Sequence, residues 1–292
     1  MLSFVQILIL ALVQGFCELL PVSSSAHVIV AEKLMGHFSG KDIDPSSPEM
    51  TMLLVMLHTG TMFAVIVYFW KNWKREYFQS TGQFQWSVIL IAMATVCTGI
   101  IGYGLKIIIE KVFMRGAEHA EIENLFSNLP LIACALAAVG VLIIVAGFRE
   151  DKSARSASEI EPVNTLVIGI VQGLCLPFRG FSRSGATIST GLLLGLPKQK
   201  VENFSFALAV VLTPPIIAQE AHRLIKAHAL SGQNSVMHLF VPGLVGMVLS
   251  FGAGLVALKW LSGWLEGGRW KFFGFYCLFA AAAVLTIHFK LH

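Results

Sequence analysis

The sequence predicts an all-α integral membrane protein with six transmembrane helices, two re-entrant helix hairpins and an inverted-topology internal repeat. Of its 292 residues, 55% are hydrophobic and 13% are charged, whereas soluble domains average roughly 25% charged residues. Apolar runs of membrane length recur along the chain, and two apolar regions are interrupted by polar segments. The length would allow two soluble domains, but no hydrophilic block is large enough for one. We therefore expect residues 1–292 to form a single polytopic membrane domain.

The first interrupted region lies at the N-terminus. Residues 2–20 predict an apolar helix that ends at Pro21, because proline has no N–H to donate. The serines at 23–25 then cap a second helix that reaches about residue 35. Neither piece comfortably spans a bilayer, which takes about 20 residues, so a re-entrant hairpin is predicted. No basic segment precedes the first helix, which favours a retained helix over a cleaved signal peptide.

Later segments of the chain are long enough to cross the bilayer. The six predicted spans are 50–70, 86–106, 129–148, 204–220, 239–258 and 272–289. A polar loop at 40–49 precedes the first span. The second interrupted region lies between the third and fourth spans, where apolar residues 163–176 and 185–196 flank a polar bend at 177–184.

The distribution of charge predicts the orientation. Threading the segments places loops 71–85, 149–162, 197–203 and 259–271 on one side, with eleven Lys and Arg residues against eight on the other side. The other side also holds the acidic residues Glu118, Glu121 and Glu123. By the positive-inside rule the first side is cytoplasmic and both termini face out. Basic residues between apolar runs indicate membrane topology rather than nucleic-acid binding.

A short sequence repeat links the two interrupted regions. Residues 13–17 (VQGFC) recur as 171–175 (VQGLC), and each copy is followed by a proline and then a triplet, SSS at 23–25 and SRS at 182–184. Three spans lie between the copies, so the second copy enters from the opposite face. This predicts an inverted repeat whose broken helices meet near the midplane. Repeat one covers about 1–110, and repeat two covers about 160–260 with the C-terminal helix added.

The polar segments predict an anion site. Each second half-helix begins at its polar segment, so both N-termini point at the centre and favour phosphate. Arg183 adds a guanidinium fork for phosphate oxygens, and Arg179 adds a second positive charge. Glu18 shares a helix face with Gln14, and a carboxylate at membrane depth indicates function.

Hydroxyl and imidazole groups complete the predicted site. Ser24 and His27 are three residues apart, so the two side chains can cooperate. Ser182 and Thr187 flank Arg183, whereas Ser184 is equally well interpreted as a simple helix cap. His58 is interpreted equally well as a core histidine or as a pocket residue. No tetrahedral metal site is predicted from the histidine and cysteine spacing.

These motifs resemble a known family. QGFCE at 14–18 followed by PVSSSAH at 21–27, together with GFSRSGAT at 180–187, closely resembles the bacterial undecaprenyl-diphosphate phosphatase family of the bacitracin-resistance type. The likeness covers almost the whole chain, including FSFALAV at 204–210. The family pattern of Glu or Gln, three residues and Glu maps onto Gln14 and Glu18. The second family motif maps onto Gly180, Ser182, Arg183, Ser184 and Thr187.

The chain departs from the family pattern at three positions. Arg179 replaces the proline before the glycine, Ala26 stands where glycine is common, and Gln14 takes a position that is often glutamate. Gln14 cannot act as a base or as a strong metal ligand. Gln14 therefore cannot supply the second carboxylate of the family pattern.

The resemblance implies both an activity and a location. It implies hydrolysis of undecaprenyl diphosphate to the monophosphate, which is the lipid carrier reused for peptidoglycan, and hence bacitracin resistance. It also implies a multi-pass protein of the cell (inner) membrane, with a pocket open to the periplasm or exterior. The lipid and the bilayer are its expected partners, nucleic acid is not, and the oligomeric state stays open. Family members are aided by Mg²⁺ or Ca²⁺, for which Glu18 is the side chain to consider.

The expected mechanism is phosphoryl transfer at the distal phosphate, by positioning and charge neutralisation. Ser24 is the candidate nucleophile, His27 its partner for proton transfer, Glu18 the orienting or deprotonating group, and Arg183 stabilises the transition state. Attack by water activated by Glu18 or His27 stays an alternative. The side chains expected to bind the substrate are Gln14, Ser23, Ser25, Arg179, Ser182, Ser184 and Thr187.

Two other classes of function compete with this hypothesis. Inverted repeats with broken helices also build secondary transporters. A flippase for a lipid phosphate, or an anion carrier, would use Glu18 as a proton-coupling group. A structural membrane subunit is the third alternative, but it does not explain Glu18 and Arg183 within broken helices.

Overall fold

The computed structural model describes residues 3–39, 47–113, 128–153, 159–231 and 237–291. All regular structure in these ranges is helical, and a π-helical turn at Ile109–Phe113 continues the fourth helix. The helices are α1 (Phe4–Leu19), α2 (Ser24–Ser39), α3 (Pro48–Tyr77), α4 (Thr81–Ile108), α5 (Leu129–Ser153), α6 (Pro162–Cys175), α7 (Arg183–Leu193), α8 (Lys198–Ser231), α9 (Met237–Glu266) and α10 (Trp270–Leu291).

Within the described residues, six helices are long and apolar enough to cross a membrane, namely α3, α4, α5, α8, α9 and α10. They confirm the six predicted spans, and the protein is a multi-pass membrane protein. The helices extend beyond the apolar segments because their polar ends also form helix. Helix α3, for example, starts at the Ser47 cap, whose side chain accepts from the Met50 N–H, and continues to Tyr77.

Both predicted helix breaks are present. Helix α1 begins with a capping box between Ser3 and Gln6 and ends at Leu19, just before Pro21. Helix α2 begins at Ser24, and Ser23 before it has a φ of 67°, a left-handed conformation that is uncommon for a residue other than glycine. In the second break, Gly180 has a φ of 101°. Each break therefore contains one residue with a left-handed backbone conformation.

The order of helix lengths repeats along the chain. Two short helices of 16 and 16 residues precede three long ones, and a second pair of 14 and 11 residues precedes another three. The re-entrant path of each pair through the bilayer, and the inverted relation of the two halves, stay predictions. The same holds for the repeat boundaries near 1–110 and 160–260.

Matching glycines bring the short helices against long ones. A Cβ on Gly15 of α1 would lie 2.6 Å from the Ala253 Cβ of α9. A Cβ on Gly173 of α6 would lie 2.7 Å from the Ile101 Cβ of α4. Both distances are too short for real atoms, so the VQG repeat marks a close helix contact in each half.

Some predictions concern segments that the structure does not describe. Residues 40–46 of the predicted polar loop lie outside the described residues, as do Glu118, Glu121 and Glu123. The count of basic residues that predicts the orientation includes Arg155, which also lies outside them. The orientation in the membrane therefore stays a prediction.

Candidate active site

The two helix breaks meet at a single cavity of about 110 Å³. It is lined by Cys17, Glu18, Ser23, Ser24, Ser25, Phe181, Ser182, Arg183 and Ser184. Direct contacts join the breaks: the Gly180 N–H donates to the Ser25 Oγ at 3.4 Å, and the Ser184 hydroxyl donates to the Leu20 carbonyl at 3.4 Å. Polar segments that are far apart in sequence therefore form one pocket.

Glu18 is the hydrogen-bond acceptor at the centre of this pocket. Its Oε2 accepts from the Gln14 Nε2 at 3.1 Å and from the Ser24 Oγ at 2.5 Å. Gln14 reaches it because residues four apart share a helix face, and Ser24 reaches it because the turn at Ser23 folds α2 back onto α1. A hydroxyl held on a carboxylate is the geometry of a nucleophile and its general base.

His27 does not line the cavity. Its Nδ1 lies 2.8 Å from the Ser23 carbonyl, and its Nε2 lies 2.7 Å from the Tyr276 hydroxyl. The carbonyl can only accept, so Nδ1 carries a proton and donates to it. The ring also stacks on Tyr276 with centroids 5.7 Å apart. The structure thus brings Ser24 to Glu18 rather than to His27, and His27 contacts the backbone of the strained turn instead.

Hydrogen bonds from the start of α7 and from α8 position Arg183 in the second break. Ser182 caps α7 by accepting from the Gly185 N–H at 3.2 Å, so the N-cap is Ser182 and not Ser184. The Arg183 Nη1 donates to the Ser205 carbonyl at 3.4 Å. The Thr187 and Ser205 hydroxyls lie 2.6 Å apart, and Thr187 donates to the Arg183 carbonyl at 2.9 Å.

Thr187 therefore holds the Arg183 backbone from outside the cavity. It is fully buried, and its hydroxyl is bonded within the protein, whereas Ser182 and Ser184 line the cavity. Ser205 lies in the FSFALAV segment of α8. The sequence alone did not identify Ser205 as part of the site, because its link to Arg183 is purely spatial.

Arg179 lies apart from the cavity lining. Its side chain is exposed, and it interacts electrostatically with Glu32 of α2, a carboxylate that is only 6% exposed. The guanidinium on the cavity wall is that of Arg183.

His58 of α3 is the site residue that the sequence left undecided. Its Nε2 lies 3.8 Å from the Glu18 Oε2, and its Nδ1 lies 2.8 Å from the Leu54 carbonyl. The Nδ1–H therefore donates to that carbonyl, and Nε2 faces the carboxylate. An ionisable side chain within a membrane span is a sequence signal of function. Only the fold shows that the His58 ring faces Glu18.

The fold and the cavity define a class of protein: a polytopic membrane protein with a serine-rich cavity that is lined by one carboxylate and one guanidinium. Residues 7–283 match the model of the family described as "Bacitracin resistance protein BacA". The chain belongs to this family.

Curated relatives agree with this assignment. The chain is 56% identical over 292 residues to "Undecaprenyl-diphosphatase 2" of Acinetobacter baylyi, with 98% of each chain covered. It is 30% identical to "Undecaprenyl-diphosphatase" of Parabacteroides distasonis, again with 98% of each chain covered. The identity to "Undecaprenyl-diphosphatase" of Caldicellulosiruptor bescii is 31%, with 97% of each covered.

The side chains around Glu18 form no ready-made site for a divalent cation, because they offer one carboxylate whose Oε2 already accepts two hydrogen bonds. Mg²⁺ and Ca²⁺ take oxygen ligands, usually from carboxylates. The neighbours of the Glu18 Oε2 are instead an amide N–H, a hydroxyl donor and an imidazole nitrogen. Among the described residues, no three His, Cys, Asp or Glu side chains are grouped as metal ligands.

Proposed function

We propose that this protein is an undecaprenyl-diphosphatase of the cell (inner) membrane, which removes the terminal phosphate of the lipid diphosphate and thereby confers resistance to bacitracin. The main structural observation that supports this proposal is that the Ser24–Glu18 pair and Arg183 line one cavity. The names of the full-length relatives supply the substrate. The cavity opens to the periplasm or exterior, where the spent carrier is released during cell-wall synthesis.

The geometry supports a covalent mechanism. Glu18 takes the Ser24 proton while Oγ attacks the distal phosphorus, and the bond from this phosphorus to the bridging oxygen breaks. Undecaprenyl phosphate leaves, and water then attacks the phosphoserine. The bond from phosphorus to the Ser24 Oγ breaks, the proton on Glu18 passes to that Oγ, and the remaining proton of the water leaves with the inorganic phosphate. The 2.5 Å contact between Ser24 and Glu18 lies within the reach that proton transfer requires.

Charge neutralisation is the second part of the mechanism. Phosphoryl transfer depends mainly on positioning and on stabilising charge at the phosphoryl oxygens. Arg183 supplies a positive charge on the cavity wall, and the N-termini of α2 and α7, whose first residues line the cavity, add partial positive charge. Ser23, Ser25, Ser182 and Ser184 donate hydroxyl hydrogen bonds to the diphosphate. Thr187 and Gln14 keep Arg183 and Glu18 in place.

His27 takes a positioning role in this proposal. Its bond to the Ser23 carbonyl holds the left-handed turn that presents Ser24. Activation of a water molecule by Glu18, without a phosphoserine, is the alternative chemistry, because the same carboxylate can polarise a water in the cavity.

Phosphate release in detergent tests the proposal. The purified protein is mixed with undecaprenyl diphosphate in detergent micelles, where no transport can be scored. We expect wild-type protein to release inorganic phosphate and the Glu18→Gln variant to lose this activity by about 10³-fold. A folded wild-type protein that releases no phosphate would contradict the proposal and favour the lipid-phosphate transporter.

A further inference from the structure

The surroundings of Glu18 differ from those of a cation-binding carboxylate. Its Oε2 already accepts two hydrogen bonds, from the Gln14 amide at 3.1 Å and from the Ser24 hydroxyl at 2.5 Å. The His58 Nε2 lies 3.8 Å from the same oxygen. The side chain is 22% exposed, so the protein covers most of its surface.

Gln14 is the residue that decides this arrangement. It is 1% exposed and lies one helical turn before Glu18. A glutamate there would place two carboxylates side by side on one helix face, and their mutual repulsion would be relieved by a bound cation. The glutamine instead turns its NH₂ group to Glu18, which satisfies the single carboxylate without a cation.

The protein itself places a positive charge in the pocket, on the Arg183 guanidinium. The Arg183 guanidinium lines the cavity together with Glu18 and interacts with it electrostatically. Arginine stays charged at all physiological pH values and binds phosphate oxygens through its fork. The N-termini of α2 and α7 add partial positive charge at the same cavity. The protein therefore supplies positive charge of its own at the position proposed for the phosphates.

We infer that the phosphatase reaction of this chain needs no divalent cation, because Gln14 leaves Glu18 as a lone carboxylate with its Oε2 already hydrogen-bonded, and Arg183 supplies positive charge at the same cavity. The inference rests on the proposed phosphatase function. It also predicts that Gln14→Glu creates a cation site between positions 14 and 18.

Two measurements on the full-length protein in detergent test the inference. The first is phosphate release from undecaprenyl diphosphate after removal of metal by a chelator, with and without added Mg²⁺. The second is binding of Mn²⁺ alone, followed by electron paramagnetic resonance. Wild type and Gln14→Glu are compared in both, and their melting temperatures show whether the variant folds.

We expect the wild-type rate in chelator to stay within about twofold of the rate with Mg²⁺, and wild type to bind no Mn²⁺. Gln14→Glu should bind Mn²⁺ and lose about tenfold or more of its rate in chelator. Loss of wild-type activity in chelator with recovery on Mg²⁺, or Mn²⁺ binding by wild type, would overturn the inference.

The outcomes separate this inference from the proposed function. A wild-type protein that releases no phosphate with or without Mg²⁺ contradicts the phosphatase proposal. In that case the Mn²⁺ measurement still decides whether Gln14 and Glu18 form a cation site. If Gln14→Glu does not fold, the two wild-type measurements decide the inference alone.

Discussion

Ser24 and Glu18 are joined by a short hydrogen bond that depends on one strained residue between their helices. Ser23, with its φ of 67°, turns the chain so that the first residue of α2 faces the last turn of α1. Strained backbone of this kind persists where the surrounding structure holds it, commonly at functional sites. The bond from the His27 ring to the Ser23 carbonyl is one such restraint.

The covalent mechanism predicts a phosphoserine at position 24. Substrate labelled in its distal phosphate, mixed with wild-type protein and quenched in acid, should leave label on a peptide that contains Ser24. Ser24→Ala should carry no label and lose about 10³-fold in kcat, because the nucleophile is gone. Ser87→Ala, which removes a hydroxyl bonded only within α4, is the control. A Ser24→Ala enzyme with near-normal turnover would remove the covalent route.

Two substitutions of Arg183 separate the effect of its positive charge on kcat/KM from the effect of its planar guanidinium. Arg183→Ala should lower kcat/KM by about 10³-fold, because a cation at the transferring phosphoryl group is lost. Arg183→Lys keeps the charge but loses the planar fork, so we expect an intermediate loss of about 10- to 100-fold. Arg269→Ala, an exposed arginine at the start of α10, serves as the control. Equal activity of Arg183→Ala and wild type would remove Arg183 from the mechanism.

At the scale of elements, the apolar runs and their interruptions were predictable from sequence. Length and hydropathy set the six spans, and proline together with a serine cap set the helix break before α2.

The partners of individual side chains were not predictable. His58 and Ser205 reach Glu18 and Arg183 from α3 and α8, and such contacts between distant helices leave no periodic signal in one sequence. The expected pairing of Ser24 with His27 followed helical spacing alone, whereas the turn at Ser23 directs Ser24 to Glu18.

The close contact of α1 with α9 predicts that Gly15 tolerates no side chain. In Gly15→Ala the new Cβ would lie 2.6 Å from the Ala253 Cβ, so the helices must separate at a cost of about 1–3 kcal/mol. We expect a lower melting temperature in detergent. Gly99→Ala in α4 is the matched control, because its Cβ meets nothing within 4 Å and alanine favours a helix by up to about 1 kcal/mol. Equal melting temperatures for the two variants would contradict the close packing of α1 against α9.

At the scale of the whole molecule, the sequence predicted that two distant polar segments meet, and the structure joins them at one cavity. The orientation rests on a difference of eleven to eight basic residues, which is small for a positive-inside bias. The inverted relation of the halves follows from counting spans, and it too depends on membrane topology.

Cysteine accessibility tests the orientation. In a variant without the five native cysteines, Ser3→Cys should react with a membrane-impermeant maleimide in intact spheroplasts. Gly82→Cys, in the loop predicted to be cytoplasmic, should react only after lysis. Both positions are exposed, so the intact-cell result reports the side of the membrane. The reverse pattern would invert the topology and place the cavity on the cytoplasmic side.

The kinetics of Ser24→Ala, Arg183→Ala and the double variant test most directly that the two polar segments form one diphosphate site. The rate of phosphate release from undecaprenyl diphosphate in detergent is measured for all three and for wild type. Residues that act as one unit give strongly non-additive losses, so the double variant should be little slower than either single variant, each about 10³-fold impaired. Losses that multiply in the double variant, or single variants that keep wild-type rates, would contradict the shared site.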